Sequence, residues 1–318
     1  MELGSNAPSP PFRSTPKLGQ EHLLNVMNQG VAAGMKVIRV WAHSITPGWE
    51  MQTGPDTYNE TVLKGMDFVM DEAHKRGLKI IWVLADNWYP TGGIDSFVKM
   101  GGASKHQEFF SNSAVKALYK KHIAFITGRV NSINGRKYAD DATIMAWCVP
   151  SLLHASAVLN CICRNLANEA RCQGCGDAPM QSWVSEMCQF TKSVAPKQLV
   201  GMGYEGFYGV TASAAQQKLN PADWASREGQ NFVANMQDPC IDYVGMHVWP
   251  DNWNLKTPEF QKSFIESHLR DVAAAIPGKP VLLEEFGKIT EDKAQTVRNK
   301  YFTTAQAVAQ ENAKAAGR

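Results

Sequence analysis

The sequence predicts an α/β protein built on a parallel sheet with crossover helices. Short β-branched runs recur along the chain, amphipathic helical segments lie between them, and several of those segments stop at a glycine just before the next run. With 318 residues, 44% of them hydrophobic and 19% charged, the chain has the composition of a soluble globular protein with a sizeable core. That length accommodates two ordinary domains or one large α/β barrel. Disorder, coiled coil and collagen are excluded. Lys plus Arg is 32 against 30 for Asp plus Glu, with no long basic block, so no nucleic-acid partner is expected.

The elements follow in order. Residues 1–17 are rich in Pro and Ser and read as a disordered tail without a secretory signal. A helix near 20–33 stops at Gly34 and feeds the run Met35–Trp41; a second near 59–76 stops at Gly77 and feeds Leu78–Ala85. A helix near 108–127 precedes Thr143–Trp147, and one near 180–194 precedes Gln198–Met202. The run Ile241–His247 comes next. A helix near 259–275 then stops at Gly278 before Pro280–Glu285, and a last helix covers 291–316. The apolar stretch Thr143–Cys163 has the length of a membrane span, but Pro150, His154 and Asn160 interrupt it, so no membrane partner is expected.

In such units function gathers where strands end. Arg39 and Trp41 close the first run, and Asp86, Asn87 and Trp88 follow the second. Tyr204 and Glu205 follow the fourth, His247, Trp249, Asp251 and Trp253 the fifth, and Glu284 and Glu285 end the sixth. Aromatics at so many exits describe a cleft of flat apolar faces suited to sugar rings. Two acidic positions stand out, Glu169 after Asn168 and Glu285 before Phe286. Glycosidic hydrolysis needs one carboxyl that protonates the leaving oxygen and one carboxylate across the ring. Between Glu284 and Glu285, alternation along a strand sends one inward and one outward without saying which.

The segments GMKVIRVWAHS, LADNW followed by GG, NLANEARC, GYEGFYG, HVWPDNW and VLLEEFG together resemble endo-β-1,4-mannanases of glycoside hydrolase family 5, from about Leu18 to the C-terminus. The resemblance implies a (β/α)8 TIM barrel over 18–318 and retaining, endo-acting hydrolysis of β-1,4-mannosidic bonds in mannan. It matches Glu169 to the family's acid/base and Glu285 to its nucleophile. Asn168 falls where the family binds the sugar 2-hydroxyl, and Arg39 where it places a cation beside the nucleophile, while a less polar setting would keep Glu169 protonated. Trp41, Asn87, Trp88, Tyr204, His247 and Trp249 are the other expected substrate contacts. Trp249 stands where many members carry Tyr, and its indole N–H is a candidate replacement donor. No metal or organic cofactor is implied. A monomer is expected, and an extracellular location by family resemblance. Another β-glycanase of the same clan, such as an endoglucanase, and a non-catalytic glycan-binding barrel are the alternatives.

Three departures stand against the family pattern. Cys148–Arg164 separates Trp147 from Asn165 where the family's fourth strand runs on without a break, and a bulge cannot absorb it. The insertion is expected to loop out or to displace the catalytic end. Its in-frame length and the GT that Trp147–Cys148 must contain are those of a translated intron, which the transcript would reveal. The first and eighth strands are not evident, so the barrel reads as incomplete and little mannan hydrolysis is expected of this polypeptide. Of the seven cysteines, the insertion carries Cys148, Cys161 and Cys163. The remaining Cys172, Cys175, Cys188 and Cys240 read as free or disulfide-bonded structural residues, or less readily as a zinc site.

Overall fold

A computed structural model describes residues 16–43, 48–88, 92–144, 162–253, 257–289 and 295–315. In chain order, α1 (Pro16–Ala32) leads to β1 (Val37–Trp41), and a hairpin of β2 (Gln52–Gly54) and β3 (Thr57–Tyr58) leads to α2 (Glu60–Lys75) and β4 (Lys79–Val83). Then come α3 (Ile94–Met100), α4 (Glu108–Ser111), α5 (Ser113–Gly128), β5 (Ile162–Asn168), α6 (Asp177–Val194) and β6 (Gln198–Gly203). The succession continues with α7 (Ala214–Gln217), α8 (Phe232–Met236), β7 (Val244–Val248), α9 (Pro258–Ala275), β8 (Val281–Phe286) and α10 (Thr296–Ala315).

The local causes are visible. Asn59 caps α2 by accepting the Thr61 N–H at 3.0 Å, and Val62, Leu63, Met66, Val69, Met70 and Ala73 recur at helical spacing to bury one face. The expected helix at 108–127 is instead two helices, because the Asn112 side chain takes the N–H groups of Ala114 and Val115 at 2.9 and 3.3 Å and restarts the helix there. The hairpin at 52–58 and the short helices α3, α7 and α8 were not anticipated.

Strands β1, β4, β5 and β6 pair in parallel in that order, and β7 pairs in parallel with β8. The two groups adjoin: the His247 N–H meets the Tyr204 carbonyl and the Asp242 N–H meets the Val200 carbonyl, both at 2.8 Å. Val37 of β1, Ile81 of β4, Leu199 of β6 and Leu282 of β8 gather with Tyr243 in one small apolar cluster, while the larger core lies between strands and helices. Gly201 makes room for that cluster, since a Cβ there would lie 2.3 Å from the Tyr243 ring. Among the described residues no further parallel strand stands between β8 and β1. None of the helices described is long and apolar enough to cross a membrane.

The interrupted strand is resolved in an unforeseen way. Thr143 and Ile144 do lie beside β4, where the Ile80 N–H reaches the Thr143 carbonyl at 2.8 Å. Two residues further along β4, however, the partner of Trp82 is Arg164, and that of Val83 is Asn165. Ile162–Arg164, assigned from sequence to the insertion, therefore form the start of β5. Met145–Trp147 and the rest of the insertion, 148–161, lie outside the described residues, as do residues 1–15 of the expected tail, whose Pro16 already belongs to α1. Cys172 pairs with Cys175 and Cys188 with Cys240, which disposes of the zinc reading.

Candidate active site

The ends of β1, β4, β5, β7 and β8 converge on a buried group of charges. The Arg39 guanidinium is its hub: Nη1 donates to Glu285 Oε1 at 2.5 Å, Nη2 donates to Asn168 Oδ1 at 2.7 Å, and Nε lies 3.6 Å from Glu284 Oε2. His247 lies between the carboxylates, with Nδ1 2.9 Å from Glu169 Oε1 and 3.6 Å from Glu285 Oε1, and Nε2 3.4 Å from Glu284 Oε2. The Trp249 indole N–H donates to Glu285 Oε2 at 3.0 Å, and the Trp88 indole N–H donates to Glu169 Oε2. Trp249 rests directly on Gly287, where a Cβ would fall 2.1 Å from its ring, which is a physical reason for the glycine in EFG.

Two backbone devices deliver adjacent residues to the same site. Register against β7 slips within β8, so that Met246 faces Leu283 but His247 faces Glu285. The extra residue is Glu284, and both glutamates reach Arg39, contrary to the expected one-in, one-out alternation. At the end of β5, Glu169 adopts φ 46°, a left-handed conformation that costs a non-glycine residue about 1 kcal/mol. That turn lets Asn168 contact Arg39 while Glu169 contacts His247 and Trp88.

The charges tune one another. Burial alone would push the Glu285 carboxyl up, but the charges of His247 and Arg39, with hydrogen bonds from Trp249 and Arg39, hold it below its ordinary value. Burial alone would lower the His247 imidazolium, yet the Glu285 charge and the bonds to Glu169 and Glu284 raise it to about 10. An oxygen of Glu169, an oxygen of Glu285 and a nitrogen of His247 lie within 4.8 Å of one another. His247 Nδ1 already faces Glu169, and Arg39 already holds Glu285.

The setting of Glu169 is not apolar, since donors face both of its oxygens. Among the other expected contacts, Trp41 lies under the Arg39 guanidinium at 5.2 Å from its ring centroid. Asn87 turns its oxygen to the Arg171 N–H and to His106, both at 3.1 Å. Trp88 is half exposed, the open aromatic of the group, whereas Tyr204 and His247 present no surface. Sequence reading missed Arg171. Its guanidinium grips Glu205 through two bonds of 2.8 and 2.6 Å and stacks on Trp88, Phe207 and Trp224. Burial and the charge of Glu169 still raise the Glu205 carboxyl to about 7. Arg171 stands inside NLANEARC, but nothing along the chain pairs it with a glutamate on the next strand.

With this geometry in place, the fold proves to be that of solved glycan hydrolases. An endo-1,4-beta-mannanase from Rhizomucor miehei superposes with a TM-score of 0.77 at 24% identity, covering 94% of this chain and 81% of that one. The endo-1,4-beta-D-mannanase of Thermotoga petrophila RKU-1 gives 0.71 at 23% identity, covering 90% and 81%. Residues 18–317 match the family described as GH family 5 beta-mannosidase-like, and the chain belongs to that family. Among curated relatives, mannan endo-1,4-beta-mannosidase 1 of Oryza sativa subsp. japonica is 34% identical over 92% of this chain and 66% of its own length. The Arabidopsis thaliana protein of the same name is 33% identical over 95% and 71%. The chain thus spans about two thirds of the length of these relatives.

Proposed function

We propose that this chain cleaves internal β-1,4-mannosidic bonds of mannan by double displacement. Glu285 attacks the anomeric carbon while Glu169 gives its proton to the departing glycosidic oxygen; Glu169 then takes a proton from water as the glycosyl ester is hydrolysed. One observation carries the reading: a carboxylate kept ionised by Arg39 and His247 has an oxygen within 4.8 Å of one from a second carboxylate. That closeness fits the retaining arrangement, in which the carboxyl groups stand about 5–5.5 Å apart, and not the wider inverting one. Arg39, Trp41, Asn87, Trp88, Asn168, Tyr204, His247 and Trp249 bind the glycan or hold the groups that do.

In the same reading residues 18–318 are one catalytic unit on a (β/α)8 frame, of which six strands stand among the described residues. The apolar cluster shared by β1, β4, β6 and β8 supports it, as inward side chains of a barrel pack in such layers. Two disulfides accord with an extracellular enzyme. Because β5 pairs in parallel with both β4 and β6 up to the candidate acid/base, the insertion by itself gives no ground for expecting an inert chain.

Incubation of the purified chain with mannan and with cellulose tests the proposal. Manno-oligosaccharides should appear first as the β-anomer, and Glu169→Gln should cut turnover about 100- to 10,000-fold. Products from cellulose alone would establish an endoglucanase, and binding without products a glycan-binding barrel.

A further inference from the structure

Asp86 is 1% exposed, so its carboxylate is buried. It follows β4, where a bridge to Asn168 extends the β4–β5 ladder and sets the two side chains next to each other. Oδ1 accepts a hydrogen bond from Asn168 Nδ2 at 2.8 Å, and Oδ2 accepts the Trp88 backbone N–H at 2.8 Å. On the far side of Asn168, Arg39 donates to Oδ1 at 2.7 Å. A side-chain amide can sit in two orientations that differ by a half turn. Here the guanidinium can only donate and the carboxylate can only accept. The flipped amide would set NH2 against guanidinium and oxygen against carboxylate, two repulsive contacts in place of two bonds. Asn168 is left with one N–H and one lone pair of fixed position.

We propose that Asp86 is a positioning residue that locks the amide orientation of Asn168, and through it the polarity the site offers to the 2-hydroxyl of the mannose whose bond is cleaved. This rests on the mannan reading above. The arrangement has a cost that a merely structural residue would not need to bear. Burial and the nearby charges of Glu169 and Glu285 raise the Asp86 carboxyl to about 6, against the opposing hydrogen bonds from Asn168 and Trp88. An apolar residue would fill the position without that cost, but it would leave both the Asn168 amide and the Trp88 N–H without their acceptor.

The test is a cycle of variants read on mannan and on two aryl β-glycosides, one with and one without the 2-hydroxyl. Asp86→Ala should lower kcat/KM on the hydroxylated substrates about 30-fold, mainly through kcat, because Arg39 alone then restrains the Asn168 amide and one of the two barriers to its flip is gone. In an Asn168→Ala background the same change should cost less than about 3-fold, and on the 2-deoxy glycoside it should cost equally little. Asp86→Asn keeps one acceptor and should recover part of the loss; it also serves where the alanine variant does not fold. Equal losses in both backgrounds, or an undiminished loss on the 2-deoxy substrate, would overturn the inference while leaving the mannanase reading intact. A wild-type chain that neither hydrolyses nor binds mannan would remove that reading, and the inference with it.

Discussion

Trp249→Phe isolates a single donor on the proposed nucleophile. The indole N–H reaches Glu285 Oε2 at 3.0 Å, and its bond is among the causes that hold that carboxyl low. A hydrogen bond to a charged, buried group contributes about 1.5–3 kcal/mol. At about 1.4 kcal/mol per unit, its loss raises the carboxyl by about one to two units. Arg39 and His247 remain to compensate, so about one unit is expected. Since Glu285 must be ionised to attack, activity should fail at higher pH on the acidic side. The acid limb of kcat/KM against pH should move up by about that amount, with a smaller loss of kcat at neutral pH. Stability moves in the same sense. A carboxyl depressed in the folded state contributes stability that is present above its unfolded value and is lost as pH falls through the folded one, so the variant has less of this contribution to lose on acidification. Trp249→Tyr, which offers a phenolic donor, should shift the limb less. An acid limb that stays in place, or moves down, would refute the assignment of the indole as a support for ionised Glu285.

Two further outcomes follow from the same geometry. The Cys188–Cys240 disulfide spans a sequence separation of 52 and Cys172–Cys175 one of 3. Loop-closure entropy assigns about 4 kcal/mol to the first and about 2 to the second. Guanidinium unfolding of the paired Ser variants should therefore rank them in that order, and the reverse order would show that local strain or solvation outweighs loop size. The His247 imidazolium is raised from 6.5 to about 10, so its stability is fully present below about pH 6.5 and is lost as pH climbs through about 10. His247→Gln should flatten the decline of melting temperature across that window, and an unchanged slope would place the loss elsewhere.

The strands were readable because burial on both faces demands continuous β-branched runs, and the helix stops because a glycine turn must follow. Gly34, Gly77 and Gly278 all show positive φ. The paired carboxylates were readable through Asn168–Glu169 and Glu285–Phe286 as short signatures. What stayed hidden depends on contacts between distant segments or on one-residue irregularities. No alternation rule reveals that Glu284 occupies a bulge, since the slip is defined by β7 and not by β8 itself. The Arg171–Glu205 pair joins two strand exits, and Asp86 looks like any acid after a strand until Asn168 is set beside it. Ile162–Arg164 looked like insertion because chain continuity, and not hydrogen bonding, was the only guide to where a strand begins.

That last strand has a consequence for how the molecule could be taken apart. Thr143 and Ile144 are held by β4 on one side of the break, and Arg164 and Asn165 are held by β4 and β6 on the other. A chain cut between 144 and 162 would carry Arg39 and Asp86 on one fragment and both candidate catalytic glutamates on the other, each with its own sheet edge as the docking template. Backbone pairing to β4 on both flanks makes this position suited to fragment complementation, in which hydrolysis would report that two separately made polypeptides had found each other.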